Sequence, residues 1–214
     1  MIITWLGHSS FLLEDSNGFK ILTDPFDTSI GYEVFKGEVD VVTISHGHFD
    51  HNYKANINSE KTRIIEDVGS FSVESVRING THSFHDNAQG TKRGNNIIYT
   101  IEMEGLKLCH LGDLGHILSQ DQLNQIGNVD ILLIPIGGNY TINAKEAYKL
   151  TNIIKSNIVI PMHYKTPDLS FPLDGLEYFI KYMKKAEGIK GTSFSISKED
   201  IENFDEDLII LDYK

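Results

Sequence analysis

The chain has 214 residues, 40% hydrophobic and 10% aromatic, enough for a sizeable core and for one domain over residues 1–214. A formal charge of −11 disfavours extended contact with phosphate backbones, and no apolar run reaches the roughly 18 residues that span a bilayer. The single Cys109 excludes an intrachain disulfide framework and the N-terminus lacks a basic signal-like stretch, so a reducing cytoplasm is the expected location.

The first half reads as short strands between turns. Ile2–Trp5 and Ser10–Leu13 are apolar runs, Asp15-Ser16-Asn17-Gly18 is a turn, and Phe19–Thr23 is a strand stopped by Asp24-Pro25. Val39–Ser45 is dominated by β-branched residues, as a strand buried on both faces would be. Further strands are predicted at Thr62–Ile65, Ser75–Asn79, Asn96–Met103, Leu106–Leu111 and Val129–Ile134. Asn143 with Glu146 forms a capping-box pattern, and Ala147, Leu150, Ile153 and Ile154 supply a helical apolar stripe. Ile158–Met162 is a strand, an amphipathic helix is predicted from near Asp174 through Leu176, Phe179, Ile180 and Met183, and Leu208–Leu211 closes the pattern. The acidic stretch from Lys198 to Asp207 reads as a solvated face.

The buried run at Val39–Ser45 delivers His46, His48, Asp50 and His51 at its carboxyl end, in the order His-x-His-x-Asp-His. Neutral imidazoles with a carboxylate suit zinc and similar first-row metals, and the surplus of ligands suggests two ions rather than one. Later strand ends offer the rest. His82 and His85 are an odd number apart, so a straight strand points them to opposite faces; one is the ligand candidate, and His85, nearer the loop, is favoured. Asp113 lies between Gly112 and Gly115 after a strand, where a carboxylate can bridge two ions, although Gly-Asp alone is more often a turn. His163 follows Ile158–Met162 and is a candidate only because the site needs another ligand. His8 and Asp24 are candidates for orienting ligand imidazoles, His116 for facing the substrate as a proton donor, and Lys92 and Arg93 for binding a substrate anion. Asn139, Tyr140 and the helix start near Asn143 are candidate pocket positions.

In order, His46, His48, Asp50, His51, His85, Asp113 and His163 resemble the ligand set of the metallo-β-lactamase-fold hydrolases. Trp5-Leu6-Gly7-His8-Ser9-Ser10-Phe11, Thr23-Asp24-Pro25-Phe26 and Ile134-Pro135-Ile136-Gly137-Gly138 resemble signatures of that family's compact branch, which includes ascorbate-6-phosphate-lactonase-like and N-acylphosphatidylethanolamine phospholipase D-like proteins. The resemblance implies an α/β fold, a four-layer αββα sandwich with the site at one edge. It also implies His46, His48 and His85 at one metal, Asp50, His51 and His163 at the other, and Asp113 between them.

Some positions depart from relatives of that fold. Asp113 stands where common β-lactamases carry Cys, and His48 where flavodiiron oxidoreductases usually carry Glu, so neither chemistry is expected. There is no room for the long exosite arm of ribonuclease Z-like enzymes. The expected function is hydrolysis of an ester, lactone or phosphodiester bond in a small, acceptably anionic molecule by a metal-bridging hydroxide, with Asp50, Asp113 and His116 as catalytic residues. Two divalent ions are expected, zinc first, with manganese, iron and nickel also suiting such sites. The rival readings are a metal-dependent binding or sensing protein and, behind it, a nuclease; no nucleic-acid or membrane partner is expected.

Overall fold

The computed structural model describes residues 1–183 and 185–213. In chain order its strands are β1 (Ile2–Gly7), β2 (Ser10–Glu14), β3 (Lys20–Thr23), β4 (Val41–Thr43), β5 (Arg63–Ile65), β6 (Gly69–Val73) and β7 (Val76–Phe84). They continue as β8 (Asn95–Met103), β9 (Leu106–His110), β10 (Ile131–Pro135), β11 (Ile158–Met162), β12 (Ala186–Gly188), β13 (Ser193–Ser195) and β14 (Asp207–Ile210). The α-helices are α1 (Gln120–Ile126), α2 (Ala144–Ile154) and the single turn α3 (Glu177–Ile180).

The strands form two sheets, one ordered β13-β1-β2-β3-β4-β5 and the other β12-β14-β11-β10-β9-β8-β7-β6. This mixed α/β architecture has the two sheets and few helices that the resemblance implied. Burial follows position in the sheets. β10 and β11 pair in parallel and are buried at every residue, as central strands covered on both faces must be. β1 alternates buried and partly exposed positions, the period-two signature of a strand with one wet face. Side chains from both sheets, including Trp5, Phe11, Tyr99, Leu132 and Ile160, join one buried cluster.

Several predicted elements change in extent. The strand predicted over Ser75–Asn79 runs on to Phe84, because its outer half pairs with β8 through polar residues that carry no apolar alternation. The helix expected from Asp174 is one turn whose N-cap, Leu176, makes no side-chain cap bond. In α2 the capping box forms as read, with Asn143 accepting from Lys145 and Glu146. Its inward stripe, however, is Ala144, Ala147, Leu150 and Thr151, while Ile153 is 40% exposed. Unforeseen elements are those with little apolar content: β6, α1 with its Ser119–Gln122 capping box, β12 and β13.

The two sheets meet where it matters for function. β4, β7, β9 and β11 end near one another, and the Ile97 amide donates across the sheets to the Ser45 carbonyl at 2.8 Å. The Tyr99 hydroxyl reaches the Ile44 and Ile65 carbonyls, both at 3.1 Å. Segments that follow separate strands are thereby brought against one another.

Candidate metal centre

His46, His48, Asp50 and His51 occupy a tight turn after β4, closed by the His51 amide donating to the His48 carbonyl at 3.0 Å. His85 lies just past β7, Asp113 just past β9 and His163 just past β11. Their donor atoms converge on one carboxylate oxygen. Asp113 Oδ2 is 3.1 Å from His85 Nε2, 3.2 Å from His163 Nε2, 3.3 Å from His51 Nε2 and 3.9 Å from His46 Nε2. Around it, ligand-capable atoms form groups within 4.8 Å: His46 with His48 and His85, Asp50 with His51, His163 and His8, and Asp24 with His46 and His51 between them.

Asp113 reaches this position through close main-chain contacts. A side chain on Gly115 would fall on the main chain of His85 and Asp86, and one on Gly112 would collide with Asn96 and with Ser45. Asn96 is fully buried and clamps the turn: its Oδ1 accepts from the Asp113 amide at 2.9 Å while its Nδ2 donates to the Leu111 carbonyl at 2.9 Å. Sequence reasoning missed Asn96, which Asn95, Thr100 and Glu102 in the same strand keep from standing out.

Asp24 sets the proton positions on two of the imidazoles. Its Oδ1 accepts from the Ser45 amide at 2.7 Å, and its Oδ2 accepts from Ser45 Oγ at 2.6 Å and from His51 Nδ1 at 2.9 Å. Because a carboxylate only accepts, His51 carries its proton on Nδ1 and turns a lone pair on Nε2 toward Asp113. Ser45 Oγ has spent its one hydrogen on Asp24, so His46 Nδ1, 2.9 Å away, must donate to it, which frees the Nε2 lone pair of His46 as well. The neighbouring signature residue His8 serves the other side. Its Nε2 lies 3.2 Å from Asp50 Oδ2, and its carbonyl accepts from the His163 amide at 3.1 Å.

The charges are consistent with a cation site. Burial alone lowers the pKa of His51, yet the carboxylates of Asp113, Asp24 and Asp50 hold it well above its ordinary value, so without a metal a proton takes the place on Nε2 that a cation would take. Burial raises that of Asp113, but His163 and His51 hold it well below the usual carboxylate range. His46, by contrast, is lowered to about 3 by burial and by His51. Nε2 of His46 and of His51 and Oδ1 of Asp113 are buried without a hydrogen-bond partner. Several nitrogen lone pairs aimed at one anionic oxygen repel it unless a cation lies between them, so this donor set fits metal.

The centre opens into a cavity of about 340 Å³ lined by His48, Asp50, Arg93, Tyr140 and the rings of Phe49 and Phe171, among others. His82, set aside in favour of His85, is exposed, its Nε2 3.2 Å from Asn95 Oδ1. Of the candidate pocket positions, Tyr140 lines the cavity and Asn139 and Asn143 do not. Lys92 is exposed and outside the cavity lining. His116 is also outside the lining; its Nε2 accepts from the Phe84 amide at 3.2 Å and its Nδ1 donates to the Ile117 carbonyl at 2.9 Å, so both nitrogens are engaged by main chain. Cys109 is buried within β9, where desolvation pushes its thiol up to about 12. Phe49 and Phe171 were unforeseen, because single aromatics in loops carry no pattern.

Residues 2–163 match the family model for the β-lactamase superfamily domain. A relative from Thermococcus onnurineus, named "UPF0173 metal-dependent hydrolase", is 32% identical, with 77% of this chain and 84% of the relative covered. The chain belongs to the metallo-β-lactamase superfamily. Within it, this chain is also 30% identical to a relative of the same name from Archaeoglobus fulgidus, covering 92% of this chain and 94% of that one. A crystal structure from Thermotoga maritima, assigned to the Zn-dependent hydrolases of the superfamily, superposes with a TM-score of 0.80 at 37% identity, covering 98% of each chain. These names go no further than metal-dependent hydrolase and do not single out the lactonase-like branch.

Proposed function

We propose that this metal-dependent hydrolase is dinuclear and cleaves an ester, lactone or phosphodiester bond of a small molecule. His46, His48 and His85 would hold one ion, Asp50, His51 and His163 the other, and Asp113 would be shared. The observation that carries this reading is the convergence of imidazole nitrogens from both groups on the single oxygen Asp113 Oδ2. Ions bound there supply Lewis acidity and lower the pKa of water from near 16 to about 7. The imidazole and carboxylate donor set favours zinc.

The chain's own residues do the rest. Asp24 keeps the ligand lone pairs of His46 and His51 facing inward. Asp50 borders the cavity; burial works against its charge, but the neighbouring imidazoles of His51 and His8, the latter hydrogen-bonded at 3.2 Å, prevail and keep it ionised, so it orients and does not donate a proton. The aromatic wall of Phe49, Tyr140 and Phe171 shields one side of the cleft from water.

The test is elemental analysis of protein purified without added metal, followed by a chromogenic ester, lactone and phosphodiester panel with and without chelator. Two equivalents of metal and a chelator-sensitive rate restored by zinc are expected. One equivalent would refute the dinuclear arrangement, and two ions with flat rates throughout would make the centre a binding site.

A further inference from the structure

We propose that Arg93 recognises an anionic group on the substrate, so that this hydrolase acts on small molecules carrying a carboxylate or phosphate beside an apolar body; the inference rests on the hydrolytic reading above. Among the described residues, Arg93 is the one Lys or Arg lining the cavity. Its guanidinium carbon lies 5.3 Å from the centre of the Tyr140 ring, and its Nη2 donates to the Asn139 carbonyl at 3.0 Å. That bond engages one of the five N–H donors of an arginine. Among the described residues no carboxylate pairs with it, in a chain whose formal charge is −11. A stacked guanidinium with donors to spare is suited to a bidentate contact with an oxyanion.

The loop carrying Arg93 is built to hold it in place. The buried carboxylate of Asp86 accepts from four main-chain amides: Ala88 at 2.7 Å, Gly90 at 3.0 Å, Lys92 at 2.9 Å and Arg93 itself at 2.8 Å. The same loop returns to the centre, because the His85 amide donates to the Gly94 carbonyl at 3.1 Å. Arg93 and a metal-ligand candidate are thus anchored by one rigid loop. Such preorganisation lets an anion contact fix the distance from charge to reacting bond.

Between the centre and Arg93 the wall is aromatic. Phe49, between His48 and Asp50, is 61% exposed and meets Phe171 edge-on at 6.2 Å; Phe171 meets Tyr140 at 6.3 Å. Tyr140 carries the guanidinium. This sequence of surfaces fits a substrate with its labile bond at the metals, an apolar segment along the rings and an anion at Arg93.

The experiment compares kcat/KM for matched chromogenic esters. Mono-4-nitrophenyl glutarate is set against its neutral methyl ester, and the 4-nitrophenyl ester of 4-phosphonobutyrate against its dimethyl phosphonate, which separates carboxylate from phosphate preference. The wild type should favour at least one anionic ester by about tenfold or more, chiefly through KM. Arg93→Ala should bring that ratio near one, with a loss on the anionic ester that exceeds any loss on the neutral one, Arg93→Lys should restore part of it, and Lys92→Ala should keep the wild-type ratio. A wild-type ratio of one, or an Arg93→Ala loss shared equally by neutral and anionic esters, overturns the inference. If no ester is cleaved, only the ester part of the hydrolytic reading fails, and calorimetry on zinc-loaded protein decides the anion contact. Glutarate should then bind about tenfold more tightly than butyrate in the wild type and equally in Arg93→Ala. Equal binding of the two by the wild type refutes it.

Discussion

Replacing Asp24 by Asn keeps the shape of a buried side chain while inverting the hydrogen bonds that define the centre. If the amide nitrogen takes the place of Oδ2, it donates both to Ser45 Oγ and to His51 Nδ1, which accepted no proton before. His51 must then move its proton to Nε2. Ser45 Oγ, now an acceptor, turns its hydrogen to His46 Nδ1, and His46 must do the same. Each loses the lone pair that faces Asp113. If the amide flips instead, its nitrogen opposes the Ser45 amide, which was bonded at 2.7 Å, and a buried N–H is left unsatisfied at a cost of about 1–3 kcal/mol. The variant takes the cheaper arrangement, so metal affinity should fall by at most this amount, about 5- to 150-fold. Loss of a carboxylate behind a ligand histidine ordinarily costs about 10–100-fold, which agrees. The assay is competitive zinc titration against a chromophoric chelator, with circular dichroism to show that the fold survives. Two ions held at wild-type affinity by Asp24→Asn would refute the tautomer argument.

Other perturbations test different joints of the same structure. His48 is exposed, so His48→Ala should fold with a stability change within about 0.5 kcal/mol while losing metal and turnover; full activity in a variant short of metal would remove His48 from the centre. Gly115→Ala drives a methyl group onto the main chain of His85 and Asp86 and should cost about 1–3 kcal/mol, a Tm decrease of several degrees by calorimetry, with metal lost in parallel; an unchanged Tm would mean that this contact is slack. Asp86 works against burial, but its four amide bonds lower its carboxyl to about 2, below the ordinary value of 3.8. A lowered carboxylate stabilises the fold above its unfolded pKa and loses that contribution as pH falls through the folded one. Acid titration should therefore show a loss of stability between about pH 4 and pH 2 that is shallower in Asp86→Asn; identical profiles would refute it.

Much of the fold was legible because the central strands are hydrophobic without interruption. Val41–Thr43, Ile131–Pro135 and Ile158–Met162 are buried at every position, and an apolar run of that length between turns leaves few alternatives. The edges were not legible. β6, β12 and β13 draw their identity from backbone pairing with a neighbour, which places little demand on their side chains. The single turn α3 likewise answers to packing rather than to its own apolar spacing.

The amino-acid sequence by itself determined the chemistry available here: clustered imidazoles and carboxylates at the ends of apolar strands, in an order that resembles one hydrolase family. Alternation along a strand put His82 and His85 on opposite faces, and nearness to the loop favoured His85, whose Nε2 lies 3.1 Å from Asp113. Only the tertiary structure decided which of the remaining polar groups belong with them. Local pattern cannot report distances between residues far apart in the chain, so the reach of Asp24 to His51, the clamp of Asn96 on Asp113 and the placing of Arg93 across an aromatic wall emerge only when the two sheets close. The same holds for His116, whose nitrogens are claimed by main-chain groups that become its neighbours on folding.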